Sequence, residues 1–218
     1  MRIGIPKEIA AYEKRVAATP ETIKKFIESG FSAHVQSGAG DAANISDSEY
    51  LTAGAEIISN AQALYGSSDL ILKVQRPEDS EIGWIKEGAT LVGFFYPFIH
   101  KETVLKLANR KATVFSMDLV PRIARAQKMD ALSSQSNVAG YKAVLMAADA
   151  LGKLMPLLMT AAGTISPSRV LVIGAGVAGL QAIATARRLG AIVEAYDTRP
   201  IVKEQVESLG AKFVEIPI

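Results

Sequence analysis

The chain contains no cysteine. That excludes thiolate catalysis, a disulfide framework, and cysteine-ligated zinc or iron–sulfur sites in these 218 residues. Histidine occurs only twice, so imidazole acid–base chemistry has only His34 and His100 to draw on. An excess of one charge is also missing. There are 24 basic and 22 acidic residues, a net charge of +2, and no basic run offers a footprint for nucleic acid. The N-terminal Met1-Arg2-Ile3-Gly4-Ile5-Pro6-Lys7-Glu8 lacks the apolar run of a signal peptide. The most apolar stretch, 143–163, is broken by Asp149, Lys153 and Pro156, whereas a membrane span needs about 20 apolar residues with few charges. It reads as a buried helix in a soluble chain.

What is present is a rhythm. Half of the residues are hydrophobic (49%), enough for a sizeable core. They fall into short runs: Arg2–Ile5, Ala33–Gln36, Leu70–Val74, Leu91–Phe95, Thr113–Phe115, Val170–Ile173, Ile192–Tyr196 and Lys212–Val214. Helical patterns lie between most of them. Thr19-Pro20-Glu21 is a helix start, with Thr19 as N-cap and proline at the first helical position, and Gly30 is the matching stop. Ser46 followed by Glu49 has the capping-box spacing. Strands alternating with helices predict an α/β fold with parallel sheets. The stretch 116–136 breaks the rhythm as a long polar loop, and a long helix should follow over Val138–Leu154. Residues 161–168 read as a turn.

Val170-Leu171-Val172-Ile173 runs directly into Gly174-Ala175-Gly176-Val177-Ala178-Gly179, and a helix to about Leu189 follows. Gly174 permits the tight turn out of the strand. Gly176 lets a pyrophosphate approach the backbone, and Gly179 lets helix and strand pack closely. The unpaired N–H groups and partial positive charge of the helix N-terminus bind an anion without a basic side chain. With 17 glycines in 218 residues, the bare pattern arises by chance in roughly one chain in ten. Its context, strand before and helix after, is what gives it weight. The next strand ends at Asp197, 18 residues past the last glycine. A carboxylate there accepts hydrogen bonds from the adenosine ribose hydroxyls and repels a 2′-phosphate. The expected ligand is therefore NAD(H), held by residues 174–179 with Asp197, Thr198 and Arg199. Arg199 could offset the repulsion, and Asp197 could instead be a helix cap.

The segment 122–137 places basic, amide, acidic and hydroxyl groups close together. Such a set could clamp a nicotinamide carboxamide or form a solvated loop with helix caps. Its string Arg125-Ala126-Gln127-Lys128-Met129-Asp130-Ala131-Leu132-Ser133-Ser134-Gln135-Ser136-Asn137-Val138-Ala139-Gly140-Tyr141 resembles the NAD(H)-binding domain I of proton-translocating NAD(P)+ transhydrogenases. Gly4-Ile5-Pro6-Lys7-Glu8 and Glu13-Lys14-Arg15-Val16-Ala17 also resemble this family and its relative, alanine dehydrogenase. The resemblance covers essentially the whole chain. It implies hydride transfer from NADH to NADP+ coupled to proton movement across a membrane. Arg122, Asp130 and Ser133 would then orient the nicotinamide and its ribose, and Gln127 would help seat the partner domain that carries NADP(H). It further implies a membrane-spanning partner domain, a homodimer, and attachment at the cytoplasmic face of the membrane.

Alanine dehydrogenase chemistry needs a carboxylate anchor and a proton-transferring histidine. Arg15 and Lys73 match its basic residues, but Phe94-Phe95-Tyr96-Pro97-Phe98 stands where the histidine is expected. Phe98 cannot act as a general acid or base. His100 reads as a surface or capping residue and His34 as structural. Arg15 and Lys73 are equally well charge partners for Glu8 and Glu13. A third reading is a non-enzymatic NAD-binding or assembly module.

The expected organisation is two Rossmann-like parallel-sheet domains, the second incomplete: residues 1–136, a linking helix and turn over 137–164, and a half domain over 165–218. A complete dinucleotide fold carries about six strands, and only three follow residue 165. The terminal Glu215-Ile216-Pro217-Ile218 looks like an interruption inside the fold. Weak NAD binding by these 218 residues alone, with exposed strand edges, is the expectation.

Overall fold

The computed structural model describes residues 1–216; Pro217 and Ile218, belonging to the terminal segment read above as an interruption, lie outside the described residues. The chain divides into two compact units, Met1–Asp130 and Ala131–Ile218.

In the first unit, β1 (Arg2–Ile5), α1 (Pro20–Glu28), β2 (Ser32–Gln36), α2 (Asp47–Thr52), β3 (Glu56–Ile58) and α3 (Ala61–Ser67) form one half. The second half is β4 (Leu70–Gln75), α4 (Asp79–Ile82), β5 (Thr90–Phe94), α5 (Lys101–Asn109) and β6 (Thr113–Ser116). The six strands are parallel in the order β3-β2-β1-β4-β5-β6. That is the doubly wound order, whose switch point lies between β1 and β4. Strands covered on both faces need continuous apolar runs, and Ile3, Ile5, Val35, Ile71 and Leu91 are fully buried or nearly so. Helix starts follow local chemistry. Thr19 Oγ1 accepts the Thr22 N–H at α1, and Ser46 and Glu49 complete a capping box at α2.

In the second unit, α6 (Ala131–Ala150) leads into a hairpin of β7 (Leu158–Thr160) and β8 (Gly163–Ile165). Then come β9 (Arg169–Ile173), α7 (Val177–Arg188), β10 (Ile192–Tyr196), α8 (Lys203–Ser208) and β11 (Lys212–Phe213). The last three strands are parallel in the order β11-β10-β9, one half of a doubly wound sheet. Ile183, Ala186, Val193, Ala195, Val202 and Val206 form the core, with Val144 and Met155 packed in. Among the described residues, edge strand β9 has one neighbour and leaves Leu171 and Ile173 exposed.

Four sequence expectations need correction. Residues 116–136 are not an open loop. They contain 3-10 turns over Met117–Leu119 and Ala124–Met129, and α6 begins at Ala131. The long helix therefore runs over 131–150 instead of 138–154. The serines and asparagine of 133–137 have modest helix propensity, which hid its first turns, and Gly152 and Pro156 stop it early. The apolar stretch 143–163 is not one buried helix. It is the end of α6, a connection and the β-hairpin, and in α6 only Gly140 and Val144 are buried. Finally, β3 and the hairpin strands are too short, at three residues each, to produce a readable period. No helix among the described residues is long and apolar enough to cross a membrane.

Candidate functional site

The glycine loop connects β9 to α7. Gly174 has φ +97°, a left-handed conformation open to glycine and strained for other residues. Its N–H donates to the Tyr196 carbonyl at 2.7 Å, which fixes the strand end to β10. A Cβ at Gly179 would overlap the Gly174 carbonyl oxygen, so only glycine lets the first turn of α7 lie against the loop. Gly176 differs, because a Cβ there would meet nothing within 4 Å. The open space above Gly176 suits a pyrophosphate on the backbone N–H groups at the start of a 12-residue helix. Val177 is exposed and Ala178 half-buried. Gly140 of α6 packs against this turn, where a Cβ would overlap the Ala178 carbonyl.

Asp197 stands at the end of β10, and the fold brings it to the loop. The Ala175 N–H donates to Asp197 Oδ2 at 2.7 Å. Arg199 adds three bonds: its backbone N–H and Nε donate to Oδ1 at 2.8 and 3.0 Å, and Nη2 donates to Oδ2 at 3.0 Å. The Arg199 guanidinium, then the backbone donors, hold the Asp197 carboxyl well below the usual carboxylate range. Thr198 is exposed. A cleft of about 520 Å³ opens alongside, lined by Tyr196, Asp197, Thr198, Lys203, Phe213 and Val214 among others. It lies at the carboxyl ends of the parallel strands, where ligands of such sheets bind.

The other predicted residues occupy the end of the first unit and the start of the second. Arg122 and Gln127 are exposed, Gln127 within the 3-10 turn. Asp130 is half-buried at the end of that turn, and its N–H donates to the Gln127 carbonyl at 3.3 Å. Ser133 is half-buried in the first turn of α6.

At the switch point of the first unit lies a polar cluster that the sequence only partly revealed. Lys73 Nζ lies 2.9 Å from Glu81 Oε1 and 3.6 Å from Glu8 Oε2, all three side chains being at most 3% exposed. Tyr65 donates to Glu81 Oε1 at 2.6 Å, and the Val74 N–H donates to Glu8 Oε1 at 2.6 Å. Burial pushes the Glu8 carboxyl up, against the pull of Lys73. Arg15 is paired with Glu13 at 2.6 Å, and Gln75 Nε2 donates to the same carboxylate at 2.8 Å. The bond from Arg15 is the main cause holding Glu13 down to about 2. Glu81 and Tyr65 were missed in the sequence. The one available signal was the Glu78-to-Glu81 capping spacing that opens α4.

Asp118 was also missed. Its Oδ1 accepts from Ser116 Oγ at 2.6 Å and from the Phe95 and Tyr96 N–H groups at 3.0 and 3.2 Å, holding the chain where Tyr96 has φ +47°. Phe98 beyond it is 78% exposed. His100 occupies the N-cap position of α5 without a capping side-chain bond. His34 is buried in β2, with Nε2 3.4 Å from Glu56 and burial lowering its pKa.

A doubly wound six-stranded unit and a glycine-loop half sheet with an acid-terminated second strand define the class: an α/β protein built from two dinucleotide-type folds. The family profile described as "Alanine dehydrogenase/PNT, N-terminal domain" matches residues 4–139, and "Alanine dehydrogenase/PNT, C-terminal domain" matches residues 143–217. The chain belongs to this alanine dehydrogenase/PNT family. It is 50% identical to NAD(P) transhydrogenase subunit alpha of Haemophilus influenzae, over 99% of this chain and 42% of that one. Alanine dehydrogenase of Methanococcus maripaludis is 31% identical, over 90% of this chain and 53% of that one. The crystal structure of transhydrogenase from Sinorhizobium meliloti superposes with a TM-score of 0.95 at 48% identity, covering 99% of this chain and 64% of that one. The chain thus spans less than two thirds of the length of these relatives.

Proposed function

We propose that this chain is the NAD(H)-binding component of a transhydrogenase that moves hydride from NADH to NADP+, coupled to proton translocation across a membrane. The observation that carries the NAD(H)-binding part of the reading is the Ala175–Asp197 bond, which joins the glycine loop to the carboxylate proposed to recognise the ribose; the transhydrogenase part rests on the 50% identity to a transhydrogenase subunit alpha. Residues 174–179 would hold the pyrophosphate, and Asp197 and Thr198 the adenosine ribose, with Arg199 beside them. Arg122, Asp130 and Ser133 would orient the nicotinamide, and Gln127 would seat the partner domain bearing NADP(H). A bound nicotinamide supplies the hydride chemistry. The task of the protein is alignment and exclusion of water, so no acid–base residue is required. The proposed setting is a homodimer on the cytoplasmic face of a membrane, docked on the proton-conducting partner.

Alanine dehydrogenase chemistry is the second reading, favoured by Arg15 and Lys73. Both cations are already paired, with Glu13 and with Glu8 and Glu81, which argues against their serving as a free carboxylate anchor. A coupled assay separates the two. Combined with its partner domains, the chain is expected to support reduction of an NADP+ analogue by NADH. Turnover of alanine or pyruvate with no transfer between nucleotides would refute the proposal.

A further inference from the structure

An ionised carboxylate offers about four lone-pair positions. All four on Asp197 are filled: Oδ1 by the Arg199 backbone N–H and Nε, Oδ2 by the Ala175 N–H and Arg199 Nη2. Two of these bonds come from the backbone and fix the carboxylate to the loop. The other two come from a guanidinium on a side chain that is 58% exposed. The ribose of an unphosphorylated adenine dinucleotide has two hydroxyls, and both need an acceptor. The number of bonds that can leave equals the number that must form.

We propose that Arg199 is a displaceable cap on the ribose-recognising carboxylate, and that the displaced guanidinium sets the tolerance of the site for a 2′-phosphate. The inference rests on the NAD(H) reading of the glycine loop. In the capped state the carboxylate is held ionised and oriented before ligand arrives. An incoming ribose must exchange its hydroxyls for Nε and Nη2. Because residue 199 stays tethered by its own N–H to Oδ1, the released guanidinium remains close to the 2′ position. A planar guanidinium matches phosphate oxygens in bidentate fashion. The cation that lines the cleft, Lys203, is paired with Glu215. Arg199 therefore opposes NADH by competition and supports NADPH by charge. It lowers the discrimination that Asp197 alone would impose.

The test uses Arg199→Ala and Lys203→Ala in the intact chain, titrated with NADH, NADPH and adenosine. Adenosine isolates the ribose exchange from pyrophosphate electrostatics. Arg199→Ala is expected to bind adenosine a few-fold tighter and to raise the ratio of NADPH to NADH dissociation constants at least tenfold. Lys203→Ala should change that ratio less than twofold. An unchanged ratio in Arg199→Ala, or equal loosening of both dinucleotides with no gain for adenosine, overturns the cap. Because binding by these residues alone is expected to be weak, the titrations run to millimolar ligand; wild type that binds neither NADH nor adenosine even there is a different result, and it overturns the dinucleotide reading itself.

Discussion

Replacing Lys73 with methionine removes the cation that lies between two buried carboxylates. Methionine fills nearly the same volume, so the perturbation is one of charge. At an effective dielectric of about 20, attractions at 2.9 and 3.6 Å are worth about 6 and 5 kcal/mol before desolvation is subtracted. Removing one partner of a buried ion pair typically costs about 3–5 kcal/mol, because the charge left behind is uncompensated. The expected loss at pH 8 is therefore about 4 kcal/mol, a large share of the roughly 5–15 kcal/mol that holds a domain folded. The pH dependence follows from Glu8, whose carboxyl burial already raises above 4.5. A raised folded pKa gives stability that is present below the unfolded value and lost as pH rises through the folded one. Without Lys73 the buried Glu8 carboxylate loses its compensating cation and takes up a proton more readily. The deficit should thus shrink as pH falls toward 5, with a slope of up to about 1.4 kcal/mol per pH unit. The single tryptophan, Trp84, lies 6.1 Å from Tyr65, which bonds Glu81, so its fluorescence reports this unit. Urea titrations at pH 5.5 and 8 should show the midpoint falling by about 2 M at the higher pH, for a slope of about 2 kcal/mol/M. A loss below about 1 kcal/mol that is equal at both pH values would refute the reasoning.

Gly179→Ala forces a Cβ into the Gly174 carbonyl, and unfolding by circular dichroism should show a loss of about 3 kcal/mol or failure of the second unit to fold. Gly176→Ala adds a methyl group in open space, so stability should stay within about 0.5 kcal/mol while NADH affinity measured by calorimetry falls about tenfold, roughly 1.4 kcal/mol. Asp118→Ala leaves the Phe95 and Tyr96 N–H groups without their acceptor and should cost about 1–3 kcal/mol in urea. Burial by itself would raise the Asp118 carboxyl, but bonds from Ser116 and the nearby backbone N–H groups outweigh it and hold it low. Its stabilisation is present above the unfolded value of 3.8 and fades as pH falls through the folded one. Wild type and variant should therefore converge in acid.

Elements with a strong local signal were legible in the sequence. The eight apolar runs match eight of the observed strands within about two residues at each end, the usual uncertainty of element ends. Thr19 and Ser46 cap their helices as their spacing suggests, because N-cap bonds join residues two or three apart. The region 116–136 was less legible. Short 3-10 turns have no period to read, and a serine-rich helix start resembles a loop. In the site, the glycine loop and Asp197 were named from spacing. The bond between them spans 22 residues and became visible only once β9 and β10 had paired.

The sequence by itself determined the α/β class, the strand–glycine–helix unit and the acid that ends its second strand. Each is encoded in residues close along the chain, where apolar period, caps and glycine conformation act directly. Tertiary structure decided which charges meet. Lys73 faces Glu81 through α4 and Glu8 across the β1–β4 pairing, and Asp197 meets the Ala175 N–H of the glycine loop across the β9–β10 pairing. Partner choice depends on strand register and side-chain rotamer. A buried carboxylate binds the donor that the fold brings within about 3 Å, and proximity in sequence does not specify which donor that is.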